Sequence, residues 1–334
     1  MEDYILQVKN LKTYFKLDTG MLKAVDDVTF NLKRNETIGI IGESGCGKSV
    51  TAHSILRTVQ HPGKVLGGEI LYNSGVNGTI NLVNYAPDCK EMRKLRGNDI
   101  SMIFQEPMAS LAPVYTIGEQ MMEAVMVHQF KKDKKAAKEI CLSMLKEVSM
   151  PNPEQRFNSY PHELSGGMCQ RAMIAMALVN KPKILIADEP TTALDVTVQA
   201  QITDLMKKFQ SEFNMSIIYI THDMGVIAEM ADKIAVMYLG RVVESGSVMD
   251  VFKDPIHPYT KNLLKSMPVL GNKTKDRLNA IRGNVPVPLD PPDECGFKTR
   301  CDEICEKCKN EIPPLMEVGN GHFVRCFKYN TEVR

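Results

Sequence analysis

Residues 42–49 read Gly42-Glu43-Ser44-Gly45-Cys46-Gly47-Lys48-Ser49, and no other stretch restricts the possible fold as much. The spacing G-x-x-x-x-G-K-S works as a turn between a strand and a helix. Its glycines let backbone N–H groups point inward as an anion nest, and the helix N-terminus adds partial positive charge. Both flanks suit it. Thr37-Ile38-Gly39-Ile40-Ile41 predicts a buried strand, and residues 49–58 predict a helix. Lys48 is then long enough to meet β- and γ-phosphates, and the Ser49 hydroxyl is placed for Mg²⁺. A glycine-rich turn with a chance lysine is the bland alternative, and eight positions in order leave it little room.

A second apolar run, Lys183-Ile184-Leu185-Ile186-Ala187-Asp188-Glu189-Pro190, predicts a central parallel strand ending in two carboxylates. Asp188 is a candidate Mg²⁺ ligand, and Glu189 a candidate general base for an attacking water. Such proton transfer is worth roughly 10²–10⁴-fold in rate. Thr221-His222-Asp223 follows another such run, Ser216-Ile217-Ile218-Tyr219-Ile220. An isolated histidine after a strand is more often structural.

With 334 residues, the chain is long enough for about two domains. A hydrophobic share of 43% and a charged share of 24% are those of a globular protein. The net charge of +1 gives no electrostatic case for nucleic acid or an anionic membrane. No apolar run approaches the ~18 residues a bilayer span requires. Met1-Glu2-Asp3-Tyr4-Ile5 lacks the basic start and apolar core of a secretion signal, which predicts a cytosolic chain. The segment 121–127 and residues 131–148 read as helices, their methionines as core filler. Residues 170–250 alternate helix and strand, as a parallel sheet requires.

Leu164-Ser165-Gly166-Gly167-Met168-Cys169-Gln170-Arg171 narrows the reading. With the phosphate loop, it resembles the signature of ATP-binding-cassette (ABC) ATPases. The resemblance implies an ABC-type nucleotide-binding domain: a RecA-like parallel-sheet core, an antiparallel β subdomain and an inserted helical subdomain at about 106–169. It implies that Gln105, in Ile103-Phe104-Gln105-Glu106-Pro107, senses Mg²⁺ and water, and that His222 contacts the γ-phosphate. It assigns Gly42, Glu43, Ser44, Gly45, Cys46, Gly47, Lys48, Ser49 and Val50 to ATP, with Ser49, Gln105 and Asp188 around magnesium. Ser165, Gly166 and Gly167 would open a helix whose amides serve ATP held by the opposite subunit. Thr192-Ala193-Leu194-Asp195 is similar to the D-loop at that interface. Tyr14 and Phe15 both compete for the adenine platform, with spacing favouring Phe15. The phosphate-loop thiol of Cys46 is expected to block nucleotide when alkylated.

The composition shifts beyond residue 250. Asp254-Pro255-Ile256-His257-Pro258-Tyr259-Thr260 resembles the H-P-Y-T element of oligopeptide and dipeptide transporter ATPases. This gives two expected domains, 1–250 for the cassette and 251–334 for a small irregular, cysteine-rich extension. Val285-Pro286-Val287-Pro288-Leu289-Asp290-Pro291-Pro292 predicts an extended connector. One departure is Ala112, where the family usually has asparagine. Of nine cysteines, Cys295, Cys301, Cys305, Cys308 and Cys326 crowd the tail, which in a cytosolic chain points to metal. Related ATPases carry C-x₅-C-x₆-C-x₁₇-C, matched by Cys295, Cys301, Cys308 and Cys326 with Cys305 as an extra. The readings are a 4Fe–4S cluster, tetrahedral zinc, or reduced thiols. Cys46, Cys89, Cys141 and Cys169 read as small apolar fillers.

The resemblance implies an ATPase subunit powering an importer of di- or oligopeptides, peripheral on the cytoplasmic side of the membrane. Its expected partners are a second ABC ATPase of related but different sequence, two integral membrane permeases and an extracytoplasmic solute-binding protein. Nucleic acid is not among them. The alternatives are another solute, such as an oligosaccharide or a metal, or a non-transport ABC ATPase.

Overall fold

The computed structural model describes residues 3–75, 78–129, 133–192, 195–266 and 281–329. In chain order the strands are β1 (Tyr4–Leu17), β2 (Gly20–Lys33), β3 (Thr37–Ile41), β4 (Gly63–Asn73), β5 (Thr79–Asn81) and β6 (Ile100–Ile103). They continue with β7 (Ile184–Asp188), β8 (Ser216–Ile220), β9 (Lys233–Tyr238), β10 (Arg241–Ser247), β11 (Met316–Gly319) and β12 (His322–Val324). One sheet has the order β2-β1-β4-β5 and is antiparallel. The other runs β11-β12-β10-β9-β3-β8-β7-β6. Its β9-β3-β8-β7-β6 portion is parallel throughout.

Every residue of β3, β7 and β8 is buried, which is why these strands are continuous apolar runs. Alternation along them still sorts side chains by face. Ile38, Ile40, Ile186 and Ile218 join the core shared with the antiparallel sheet. Leu185, Ala187, Ile217 and Tyr219 face the core shared with the helices. The register levels Ile40 with Ile220, Ile220 with Asp188, and Ala187 with Ile103. The chain after each of these strands therefore leaves the sheet along one edge.

The segment between β6 and β7 is helical: Pro107–Ser110, Ile117–His128, Lys134–Glu147, Pro153–Phe157 and Gly166–Leu178. Thr116 and Glu119 form a reciprocal capping box that fixes where the second of these starts. The last is buried on most of its surface, so it is the axis on which the subdomain packs. Ala112 has its backbone clasped by Gln120, whose side chain accepts from Ala112 N–H (2.9 Å) and donates to Ala112 C=O (3.1 Å).

Two expectations are corrected here. The helix after the phosphate loop spans Lys48–Ile55 and stops short of residue 58, because Arg57 takes a left-handed conformation (φ 56°). The C-terminal extension is also not irregular throughout. Its β11–β12 hairpin pairs with β10 and continues the main sheet. Residues 131–132 of the expected helix lie outside the described residues, as do Ala193 and Leu194 of the expected D-loop.

Glu244 on β10 ties the extension to the sheet. It is fully buried, and its carboxylate accepts from Ile256 N–H (2.7 Å), His257 N–H (2.9 Å) and His322 Nε2 (2.8 Å). His257 is itself buried, and its Nδ1 accepts from Tyr259 N–H (3.0 Å), capping the helix Pro258–Lys265. Burial pushes its pKa down to about 4, against the pull of Glu244. An unfolded chain would protonate this ring near 6.5, whereas the folded one does so only near 4. Stability therefore falls as pH drops across that window, by about 3 kcal/mol at most. His257→Asn keeps a capping acceptor without the titration. Urea midpoints at pH 5 and pH 7 are expected to differ less for this variant than for the parent.

Candidate nucleotide site

The phosphate loop closes the C-terminal end of β3. Gly47 has φ 98°, and a Cβ there would lie 2.2 Å from the Ala24 carbonyl oxygen, so both conformation and space demand glycine. The Lys48 ammonium is buried and donates to the carbonyls of Gly42 (2.8 Å) and Glu43 (3.2 Å). Ser44 to Val50 line a cavity of about 470 Å³ together with Phe15, Leu22, Ala24, Gln105, Glu189 and residues 285–288. Phe15 reaches this cavity. Tyr14 instead donates its hydroxyl to Asp26 (2.6 Å).

The Cys46 side chain is fully buried, and burial raises its thiol pKa, which disfavours the alkylation expected to block nucleotide. A group that neither ionises readily nor meets solvent is a poor target.

Three side chains from separate strand ends meet at one carboxylate. Gln105 Nε2 donates to Glu189 Oε2 (3.2 Å), Thr192 Oγ1 donates to the same oxygen (2.9 Å), and His222 Nδ1 lies 3.5 Å from Glu189 Oε1. Glu189 holds a left-handed backbone (φ 46°), locked by its N–H on the Ile220 carbonyl (2.8 Å). A non-glycine residue in that region stores strain that its surroundings must over-determine. Asp188, one residue earlier, is buried with Oδ1 lacking any hydrogen-bond partner. Burial raises its pKa, and a hydrogen bond from Ser49 opposes the rise. A buried, unpartnered carboxylate oxygen beside a hydroxyl is the donor set a hard divalent cation takes, so these residues fit Mg²⁺.

Ser165, Gly166 and Gly167 stand apart from this cavity. Ser165 caps the helix Gly166–Leu178 by accepting from Met168 N–H (3.3 Å). A Cβ built on Gly166 meets nothing within 4 Å, and one on Gly167 meets only Val198 Cγ1 at 3.9 Å. Nothing within the described chain explains two glycines there.

The extension grips the phosphate loop from behind, a contact the sequence reading missed. The Arg300 side chain is 3% exposed and donates to both Glu43 carboxylate oxygens (2.7 and 3.0 Å). Its Nε donates to Arg282 C=O (2.9 Å). Glu43 N–H donates to the hydroxyl of buried Tyr259 (3.0 Å), whose ring packs on Tyr238 and Phe297. Tyr259 was visible within the H-P-Y-T string. Arg300 lies 257 residues from Glu43, and no local signal joins them.

The tail cysteines share a second, small cavity of about 20 Å³, lined by Cys295, Cys301, Cys305, Cys308 and Cys326. Burial pushes the Cys295 thiol up to about 12 and Cys326 up to about 11. At Cys305 slight burial acts upward, but hydrogen bonds from Cys308 win and hold it below its ordinary value. Cys305 and Cys308 sulfurs are 3.3 Å apart. Among the described residues no three His, Cys, Asp or Glu side chains are grouped to hold a metal ion. Neither the expected 4Fe–4S cluster nor the tetrahedral zinc alternative therefore meets a preformed ligand group here. The thiols converge on one cavity without closing on one point.

Residues 25–192 match the family described as "ABC transporter", and residues 243–308 match "Oligopeptide/dipeptide transporter, C-terminal region". The chain belongs to the ABC transporter ATPase family. This ABC ATPase is 48% identical over 329 residues to the oligopeptide transport ATP-binding protein AppD of Bacillus subtilis, covering 98% of each chain. It is 45% identical over 322 residues to the dipeptide transport ATP-binding protein DppD of Haemophilus influenzae, covering 96% of this chain and 94% of that one. Among solved structures it is similar to the dimeric ATP-binding cassette MJ0796 in a post-hydrolysis state bound to ADP and Pi. That match has a TM-score of 0.64 at 28% identity, covering 73% of this chain and 98% of the other. It is also similar to cbiO1 of Clostridium perfringens, part of the transporter complex cbiONQ. There the TM-score is 0.60 at 29% identity, covering 76% and 92%. The extension family begins at residue 243, within β10, ahead of the boundary at 250 expected from sequence.

Glu43→Ala in this ABC ATPase would leave the Arg300 guanidinium buried without its carboxylate. Unfolding in urea is expected to show a loss of about 2 kcal/mol, discounted for the partial exposure of Glu43. Adding Arg300→Leu to that variant should restore part of the loss.

Proposed function

We propose that this ABC ATPase powers a peptide importer, binding ATP in the cavity at the strand ends and hydrolysing it there. The observation that carries this is the meeting of Gln105, Glu189 and His222 beside the phosphate loop and the unpartnered Asp188 oxygen. Names of relatives, an oligopeptide and a dipeptide transport protein among them, support the cargo.

In this reading the amides of residues 44–49 and the Lys48 ammonium hold the triphosphate, and Phe15 carries the base. Asp188, Ser49 and Gln105 would hold Mg²⁺, which when bound offsets charge on the phosphoryl oxygens. Glu189 takes the proton of the attacking water. Gln105 and Thr192 keep its carboxylate oriented, and His222 faces the γ-phosphate. The open glycines at Gly166 and Gly167 await a phosphate on another protomer, so each site is split between two ATPase chains. The partner ATPase is a related but different subunit.

Around Gln105 the exposed apolar residues Phe104, Met108, Val114 and Tyr115 offer a surface for a protein partner. They support coupling to two membrane permeases, with a solute-binding protein delivering cargo from outside. No helix among the described residues is long and apolar enough to cross a membrane, which suits a peripheral subunit on the cytoplasmic side. The cassette then occupies residues 1–250, with its helical subdomain at 106–169, and the extension 251–334.

For the cysteine cavity we infer a 4Fe–4S cluster on Cys295, Cys301, Cys308 and Cys326. Five thiols lining one cavity support it. The cluster would tie together a tail with few apolar residues. Protein purified without oxygen should contain iron and acid-labile sulfide in equal amounts. Stoichiometric zinc with neither of these would sink that reading.

Glu189→Gln should bind ATP as the parent does but lose hydrolysis by at least about a hundredfold, and accumulate as an ATP-bound dimer. Single-turnover hydrolysis and gel filtration with ATP check this. Turnover at the parent rate would remove Glu189 as the base.

A further inference from the structure

The proline-rich connector does more than join two domains. Residues 285–288 line the same cavity as Phe15, Leu22 and the phosphate loop, although they belong to the C-terminal extension. Backbone bonds hold them there. Lys23 N–H donates to Pro288 C=O (3.0 Å), Asp290 N–H to Met21 C=O (2.9 Å), and Met21 N–H to the Asp290 side chain (3.1 Å). Leu22 and Leu289 form an antiparallel bridge. The connector is thus strapped along β2, in the stretch that pairs with Phe15 on β1 through Leu22.

Phe15 is backed on its other side. It pairs with Gly63 of β4, and a Cβ on Gly63 would lie 2.5 Å from Phe15 Cε1. The ring thus rests on β4 while also lining the cavity. Facing the same space is Val287, 74% exposed although its neighbours are fixed by hydrogen bonds. An apolar side chain held mostly in solvent on a fixed backbone leaves apolar surface for a ligand to cover. Its flanking residues, Pro286 and Pro288, have fixed φ angles and little entropy left to lose on binding.

We propose that Val287, between Pro286 and Pro288, is the second wall of the base pocket. A flat heteroaromatic base of a nucleoside triphosphate lies between it and Phe15. The inference rests on the reading of this cavity as the nucleotide site. It makes the C-terminal extension part of that site, so the cassette without residues 285–288 holds its nucleotide by the phosphates and one ring. The wall recognises the apolar faces common to adenine and guanine and carries no group that reads their edges.

The test is calorimetry on the full chain, with ATP as one probe and inorganic tripolyphosphate, read by its displacement of ATP, as the other. Val287→Ser, which removes apolar surface without adding charge, is expected to weaken ATP binding by about five- to tenfold, the size expected for losing part of a valine contact. Its affinity for tripolyphosphate should match the parent, because that probe has no base. Unchanged or tighter ATP binding by Val287→Ser would overturn the proposal, tighter binding marking the connector as a barrier. Equal loss for both probes would also overturn it, by showing that the change acts through the phosphate loop. A parent protein that binds neither probe would instead sink the nucleotide reading itself.

Discussion

The parallel register of β3, β8, β7 and β6 is the constraint on which the site depends. Levelling Ile40 with Ile220, Ile220 with Asp188, and Ala187 with Ile103 brings four loops out of the sheet side by side. One carries the phosphate loop, one His222, one the Asp188–Glu189 pair, and one Gln105. Side chains of Gln105 and Glu189, 84 residues apart, then come within hydrogen-bond distance with no long excursion of either loop. A slip of one residue would turn each buried apolar side chain to the opposite face, and both cores would resist it.

That convergence has a cost in local energy. Asp188 is buried with an unpartnered oxygen, and Glu189 sits in a backbone region that suits glycine or asparagine better. Lys48 is buried among backbone carbonyls. These arrangements do little for a resting fold, but each aims a charge or a lone pair at one space. The surrounding strands, buried at every position, supply the packing that offsets them.

The extension belongs to the same construction. Glu244 fastens it to β10, Arg300 and Tyr259 brace Glu43 within the phosphate loop, and the connector runs beside Phe15. The cysteine cavity shares His257, Cys295, Phe297 and Lys298 with a larger cavity of about 240 Å³ that also reaches Arg325 and residues 286–289. The larger cavity thus borders both others, sharing residues 286–288 with the nucleotide cavity and Phe297 with the thiol cavity, and Phe297 packs on Tyr238 and Tyr259. That arrangement explains how a tail with little regular structure holds a defined position.

The sequence alone determined the phosphate loop, its flanking strand, the acidic strand end and the helix opening at Ser165, because each is a local pattern of glycines, apolar runs and caps. It also marked Lys48 and Glu189 as candidates by their type and place, and His222 only through the family resemblance. It could not give the Arg300–Glu43 pair or the choice of Phe15 over Tyr14 at the cavity. Nor could it place the β11–β12 hairpin on the main sheet. Those depend on which face of a strand meets which neighbour and on contacts between residues far apart in the chain. Only the packed tertiary structure decides them, because hydrogen bonds and burial act through space and leave no periodic trace along the chain.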